Sequence, residues 1–162
     1  MAMPGKVNQG VLVVIVAICA VLAYWAIRFA TQDEESRLRK LIYSAVVMVE
    51  REDIDKCGLL MSPDYQDSYG NNKKEILDLI KKTFRDFHNL KVDIKNIKIE
   101  IDGPGAKASI GFMACFKVKD GEQFYYDTGK LGLSFKKQKS LWKIFSIEYV
   151  SLNELLFMEA VA

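Results

Sequence analysis

The chain has 162 residues, half of them hydrophobic, with a formal net charge of +2 and a single histidine. A net charge this close to neutral argues against nucleic-acid binding, and one histidine excludes any metal cluster or catalytic triad that needs several imidazoles. The sequence contains no phosphate-binding glycine loop, so we expect neither a metal ion nor a cofactor.

The first predicted element is an uncharged apolar segment, 7–27, that stands between Lys6 and Arg28. As a helix it reaches about 30 Å, the hydrocarbon thickness of a bilayer. We therefore predict a short tail at 1–6, a single transmembrane helix at 7–28 and a juxtamembrane link at 29–32. A cleaved signal peptide is the alternative, but its apolar core is shorter. The predicted anchor includes Val11, Ile15, Ile18, Leu22 and Trp25.

The side of the membrane stays open at this point. More basic residues stand after the segment than before it, which favours a cytoplasmic domain. A signal-anchor with so short an N-terminal tail can instead export the domain behind it. Cys57 and Cys115 do not decide the compartment, because they are compatible both with free thiols and with a disulfide.

Three helices are predicted after the link, the first of them opened by a capping-box pattern at Thr31. It carries an apolar stripe at helical period, formed by Leu38, Leu41, Ile42, Ala45, Val46 and Val49. A short second helix, 54–61, ends before Pro63. Asn72 and Glu75 form the capping box of the third helix, and a stub strand is predicted at 65–69.

From Leu90 onward the apolar period is two, which predicts a sheet. Ile94 and Ile97 stand in opposite phases of this alternation, so we predict a β-bulge near Lys95-Asn96. Further strands are predicted at 108–118, 124–135 and 141–150, and their short connections indicate an antiparallel meander. Residues 151–162 form a C-terminal tail with the apolar pattern of a short helix.

This order of elements resembles the NTF2-like superfamily (nuclear transport factor 2, the cystatin-like α+β cone). Three stretches carry the resemblance: Glu52-Asp53-Ile54-Asp55, Leu60-Met61-Ser62-Pro63-Asp64-Tyr65 and Asn72-Lys73-Lys74-Glu75-Ile76. It covers about residues 33–150 and implies an α+β fold, with three helices packed on a curved, mainly antiparallel sheet behind the transmembrane helix. Anchored members of the superfamily occur in secretion and translocation machinery, which implies an extracytoplasmic domain.

The resemblance also implies a pocket at one end of the cone. Some members are isomerases or dehydratases with a carboxylate base, but the positions that match their catalytic groups are Tyr69, Ala45 and Leu131 here. None of these can replace the family's basic aspartate, oxyanion tyrosine and acidic donor, respectively. Asp64 and Asp67 remain as catalytic candidates, and the candidates for the pocket wall are Tyr65, Tyr69, Phe112, Tyr126 and Trp142. Strand alternation turns either Tyr125 or Tyr126 inward, beside Asp127.

These departures favour a membrane-anchored, non-enzymatic binding or scaffolding module in a membrane-associated assembly. Its expected partners are the lipid bilayer and either another membrane protein or a second copy of itself. The alternative is a small-molecule pocket protein, or an isomerase- or dehydratase-like enzyme that uses a pocket aspartate. A filled cone favours the first interpretation, and an apolar pocket favours the second.

Overall fold

The computed structural model describes the backbone of residues 9–151, with side chains at 16–25, 27 and 32–148. The predicted tail at 1–6 lies outside these residues, as do the side chains of Val11 and Ile15. Of the C-terminal tail predicted at 151–162, Ser151 belongs to the last strand and 152–162 lie outside the described residues. The chain divides into two compact units, Met1–Ser36 and Arg37–Ala162, whereas the sequence predicts that the domain begins at residue 33.

The longest element is helix α1, Gln9–Glu50, which continues without a break through the predicted link at 29–32. Thr31 therefore does not begin a new helix. Ile18, Leu22 and Trp25 are each more than half exposed on this helix. Within the described part of the chain, no helix is both long and apolar enough to span a bilayer. On that finding the predicted single-pass membrane localisation is wrong.

The C-terminal part of α1 carries the predicted apolar stripe. Leu38 and Ile42 are almost completely buried, and the other stripe positions, Leu41, Ala45, Val46 and Val49, are partly buried. Burial of one leucine or isoleucine side chain contributes about 1.5–3 kcal/mol. This stripe therefore fixes which side of residues 37–50 faces the sheet.

Two shorter helices come next, and each has a side-chain cap at its N-terminus, of which the sequence predicts the one at Asn72. In front of α2, Ile54–Leu60, the Asp53 carboxylate accepts a hydrogen bond from the Lys56 N–H at 3.1 Å. In front of α3, Lys73–Asp86, the Asn72 side chain accepts from the Glu75 N–H at 3.1 Å. The Glu75 carboxylate accepts in return from the Asn72 N–H at 2.8 Å, which confirms the capping box. The predicted stub strand is reduced to one isolated bridge, between Gln66 and Asn72.

Four strands form one antiparallel sheet in the order β1-β2-β3-β4, which confirms the predicted meander. The strands are β1, Phe87–Asp102; β2, Gly105–Val118; β3, Phe124–Gln138; and β4, Leu141–Ser151. The α+β architecture predicted for the domain is therefore present. Because successive side chains of a strand alternate between its two faces, the side chains that pack on the helices are those of one face, the inner face.

The predicted bulge lies in β1. Ile94 pairs with Phe112 and Asn96 pairs with Gly111, so Lys95 is the extra residue. This insertion explains why Ile94 and Ile97, which are three positions apart, both pack against the core. A bulge also bends the strand, and the bend curves this edge of the sheet around the helices.

The core lies between the inner face of the sheet and the helices of the second unit. Phe135 is almost completely buried, and it packs in one cluster with Leu38 and Ile42. The remaining buried members of this cluster are Met61, Tyr65, Ala106, Ala108, Ile110, Leu133, Trp142 and Ile144.

Candidate functional site

A cavity of about 180 Å³ lies between the inner face of the sheet and the helices of the second unit; we call it the apolar cavity. All of the described side chains in its wall are aliphatic, aromatic or sulfur-containing. They are Ile42, Ala45, Val46, Val49, Cys57, Leu60, Met61, Ile80, Ile94, Ile110, Phe112, Leu131, Leu133, Ile144 and Ile147. Every element from α1 to β4 contributes to this wall, so the cavity is a product of the whole domain.

Small side chains on α1 explain why the space remains unfilled. Ala45 and Val46 line the cavity from α1, and Ile110 and Leu131, which pair on neighbouring strands, line it from the sheet. An apolar cavity of about 150 Å³ in another protein stays dry and binds benzene. A cavity of this size and composition can therefore hold one small ring or a short alkyl chain.

Among the described residues of the apolar cavity's wall, Cys57 is the one that carries a thiol. Its burial raises the pKa of the thiol, and the negative charge of Asp53 raises it further. The thiol consequently remains protonated at neutral pH and is a poor nucleophile. Cys57 and Cys115 are both free, so the disulfide that the sequence left open is not formed.

A second space of about 390 Å³ adjoins the apolar cavity at Phe112, which lines both; we call it the aromatic hollow. Its wall is formed by Glu52, Thr83, Phe84, Phe87, Leu90, Phe112, Ala114, Phe116 and Asp127. The rings of Phe87 and Phe116 meet edge to face, with 4.9 Å between their centroids. Phe116 also stacks on Tyr125 at 6.1 Å, so its ring is held from two sides.

The register of β2 and β3 determines which polar residues reach the aromatic hollow. Asp127 pairs with Ala114 and Tyr125 pairs with Phe116, so these residues share the inner face. Tyr126 pairs with Cys115 on the opposite face and is 64% exposed. A hydrogen bond with the Cys115 thiol raises the pKa of the Tyr126 hydroxyl, but this contact lies on the side of the sheet away from both spaces.

Asp67 lies in the loop between α2 and α3 and does not line the apolar cavity or the aromatic hollow. Its carboxylate accepts hydrogen bonds from the Tyr69 N–H at 3.0 Å, the Asn71 N–H at 2.9 Å and the Asn71 side-chain amide at 2.9 Å. Burial opposes the charge, but these bonds prevail and lower the pKa of Asp67. Burial also raises the pKa of Tyr65 to about 12, with a further contribution from the Asp67 charge.

The other site residues expected from the sequence are dispersed. Asp64 is exposed, and its backbone N–H donates to the Ser62 hydroxyl at 3.1 Å. Tyr69 is 72% exposed, whereas Tyr65 and Trp142 are buried in the core. Of the five residues expected in the pocket wall, Phe112 is the one that lines both spaces.

The acidic residues that line the aromatic hollow are Glu52 and Asp127. The alternation in the sequence leaves the face of Asp127 open, and Glu52 is not among the candidates that the sequence offers. Counting by two along β3 from the core residue Phe135 reaches Leu133, Leu131, Gly129 and then Asp127, which is the signal that places this aspartate inward. No pattern of this kind predicts the position of Glu52, which lies in the irregular link between α1 and α2. Among the described residues, no three His, Cys, Asp or Glu side chains gather to hold a metal ion.

The sequence matches no protein-family model and no curated protein, whereas many solved structures have a similar fold. An NTF2-like superfamily protein from Salmonella enterica superimposes with a TM-score of 0.67 at 17% identity, over 75% of this chain and 92% of that one. An NTF2-like protein with a cystatin-like fold from Novosphingobium aromaticivorans superimposes with a TM-score of 0.65 at 16% identity, over 82% of this chain and 90% of that one.

An enzyme is also among the similar structures. Hexachlorocyclohexane dehydrochlorinase LinA-type3 from Novosphingobium barchaimii superimposes with a TM-score of 0.67 at 11% identity, over 75% of this chain and 88% of that one. At these identities the similarity establishes the NTF2-like, cystatin-like fold of the domain and nothing finer.

Proposed function

We propose that the domain binds a small, mainly apolar molecule in the apolar cavity. The observation that carries the proposal is a cavity of about 180 Å³ whose described wall side chains are all apolar or sulfur-containing. Packed interiors contain few spaces larger than a water molecule, so an apolar space of this size is a specific feature of the domain. It is also the kind of site that small-molecule binders present.

The structural neighbours support this class of ligand. One of them is named for its action on hexachlorocyclohexane, a halogenated hydrocarbon of one ring, so the fold can accept such a molecule elsewhere. In this chain the wall offers shape and dispersion contacts, with the protonated Cys57 thiol as a weak hydrogen-bond donor. Selection by size and apolarity is therefore the expected behaviour of the wall.

Thermal unfolding of the full-length protein with benzene tests the proposal. A ligand that binds only the folded state at 100 times its Kd stabilises that state by about 2.7 kcal/mol, so the melting temperature is expected to rise. Ala45→Leu fills the cavity from α1 and is expected to abolish the rise. Ser44→Leu adds the same side chain at the exposed neighbouring position and should preserve it.

Two outcomes would contradict the proposal. One is a wild-type melting temperature that saturating benzene, toluene and cyclohexane all leave unchanged. The other is an equal rise in the wild type and in Ala45→Leu, which would place the ligand outside the cavity.

A second candidate is elimination chemistry, and the position of Asp127 favours it. Asp127 lines the aromatic hollow together with Phe112, which also borders the apolar cavity. A carboxylate there can take a proton from carbon while a leaving group departs from the neighbouring carbon. Chloride release from hexachlorocyclohexane that disappears in Asp127→Asn would support this candidate. Binding of hexachlorocyclohexane without release of chloride would contradict the elimination chemistry and support only the binding function.

A further inference from the structure

The outer face of the sheet, on the side away from the apolar cavity, carries a groove of about 410 Å³; we call it the polar groove. Two rows of paired residues line it, and each row crosses all four strands. Because the core residues Ala108 and Leu133 pair with each other between these rows, the side chains of the rows point away from the helices. The first row is Lys98, Ser109, Gly132 and Glu148, and the second is Glu100, Lys107, Ser134 and Ser146.

In the first row, small residues lie in the middle and charged residues lie at the two edges. Ser109 and Gly132, on the central strands, add little or no side chain above the backbone. Lys98 lies on the edge strand β1 and Glu148 on the edge strand β4, and both are exposed. Another flat surface can therefore approach the centre of the row closely, while its charges meet those at the edges.

The two ends of the first row carry opposite charges. The Lys98 ammonium lies 2.8 Å from the Glu100 carboxylate on the same strand, whereas Glu148 forms no ion pair with another described residue. An ammonium group has three donors, so Lys98 can bind Glu100 and a second carboxylate together. When the row is laid on a copy of itself in the reverse order, Lys98 of each copy meets Glu148 of the other.

A two-fold axis that runs parallel to the strands, between β2 and β3, produces this arrangement. It places β1 of one copy over β4 of the other, and β2 over β3, so both copies use the same surface. In the second row the same axis places Lys107 over Ser134 and Glu100 over Ser146. Opposite charges therefore meet in the first row, and no like charges meet in the second.

An axis that runs across the strands would oppose like charges. Along either row it would bring a lysine onto its own counterpart, Lys98 in the first row and Lys107 in the second. Between the rows it would bring Lys130 onto Lys136, which flank the polar groove on β3. The charge pattern of the outer face therefore favours the axis parallel to the strands.

The outer face is large enough for a stable dimer. Four strands make it about 19 Å wide at about 4.8 Å per strand, and the 11 residues of β4 make it about 37 Å long at about 3.4 Å per residue. Two copies that pack over this whole face bury about 1,400 Å² in total, and specific interfaces bury about 1,200–2,000 Å².

We propose that the polar groove is the interface of a symmetric dimer of this chain. The two copies pack outer face to outer face, with Lys98 of each copy bound to Glu148 of the other and with Ser109 and Gly132 at the centre. Because this interface and the apolar cavity lie on opposite faces of the sheet, the inference does not depend on the proposed binding function.

Sedimentation velocity of the full-length protein over a range of concentrations tests the inference. The wild type is expected to dimerise. Glu148→Lys and Lys98→Glu each turn both attractive pairs into like-charge pairs, so each should weaken dimerisation at least about tenfold. Lys81→Glu reverses an exposed charge on α3 and should leave dimerisation unchanged. The side chains of Lys98 and Glu148 are exposed, so these substitutions are expected to leave the fold intact.

An equimolar mixture of Glu148→Lys and Lys98→Glu gives the most specific result. In a mixed dimer the two lysines of one copy face the two glutamates of the other, so the mixture should dimerise about as tightly as the wild type. A wild type that stays monomeric at every accessible concentration would overturn the inference. A dimer that both reversals leave intact would place the association on another surface, and a mixture that stays monomeric would exclude the pairing of Lys98 with Glu148.

Discussion

At the scale of single residues, Lys139 and Ser140 are in a strained conformation. They form the two-residue connection between the paired Gln138 and Leu141, and their φ angles are +47° and +69°. A two-residue hairpin with positive φ at both positions favours Asn-Gly, because other L-residues incur about 1–2 kcal/mol in the left-handed region.

The double substitution Lys139→Asn and Ser140→Gly is therefore expected to raise the free energy of unfolding by about 1 kcal/mol. Urea denaturation monitored by circular dichroism measures this change. Ser140→Ala retains the Cβ atom and serves as the control without stabilisation. An unchanged midpoint in the double variant would show that the turn relaxes at no cost.

Asp67 gives a prediction on pH dependence. Because hydrogen bonds lower its pKa in the folded state, it contributes stability above the unfolded pKa of about 4, and this stability is lost as the pH falls through the folded pKa. Asp67→Asn should reduce the free energy of unfolding by about 1–3 kcal/mol at pH 7. The difference between the variant and the wild type should shrink at pH 3.

Urea denaturation at both pH values measures this difference. Asp64→Asn, in the same loop but exposed, is the matched control and should behave like the wild type at either pH. A difference between wild type and Asp67→Asn that is the same at pH 7 and pH 3 would mean that the charge of Asp67 has no role in holding the loop.

Single residues also show which features of the site the sequence does not predict. Tyr126 was expected in a pocket wall, but the unbroken register of β2 and β3 turns it outward and turns Asp127 inward. The alternation is visible in the sequence, yet its phase becomes certain only when one position, such as Phe135, is known to be buried. Asp67 is a polar residue in a conspicuous motif, and its contacts are those of a loop that satisfies its own backbone.

At the scale of elements, one side chain joins the end of α1 to the edge of the sheet. The Glu50 carboxylate accepts a hydrogen bond from the backbone N–H of Val92 in the edge strand β1 at 2.9 Å. Lys91 lies 3.6 Å from the same carboxylate, but this exposed ion pair contributes little. The backbone contact is the one that occupies an otherwise unpaired donor of the edge.

Glu50→Ala should leave the Val92 N–H without this acceptor and speed its hydrogen exchange by about tenfold, the equivalent of one hydrogen bond. Glu50→Gln retains a carbonyl oxygen at the same place and should exchange almost as slowly as the wild type. Native-state exchange followed by NMR resolves this one amide. Equal protection in all three proteins would mean that the contact is absent in solution.

Most elements of the domain could be predicted from the sequence, because their signals are local. The capping box at Asn72 and the phase change around Lys95 both correspond to structure at the predicted positions. The failure at Thr31 has an equally local cause. No glycine or proline occurs between Gly10 and Gly58, so nothing interrupts α1, and a capping pattern inside a continuous helix has no end to cap.

At the scale of the whole molecule, the apolar cavity could not be predicted. Its residues come from all seven elements, and its volume is the small difference between the space that the backbone encloses and the volume of the side chains that fill it. The sequence predicts that Phe112 lines a pocket. It does not show whether the cone is filled or open, because that depends on this small difference in volume. The apolar segment at the N-terminus predicts a transmembrane helix, and the structure corrects that prediction.

The strand order of the sheet has a consequence for folding. Each strand pairs only with its neighbours in the chain, through connections of two to five residues, so little loop-closure entropy opposes the formation of each hairpin. The stripe on α1 is separated by more than 50 residues from most of the sheet that it covers. The hairpins can thus assemble first and expose the inner face, with Ile110, Leu133 and Phe135, until the helix arrives. During that interval the chain is most prone to aggregate, and its refolding yield should fall as protein concentration rises.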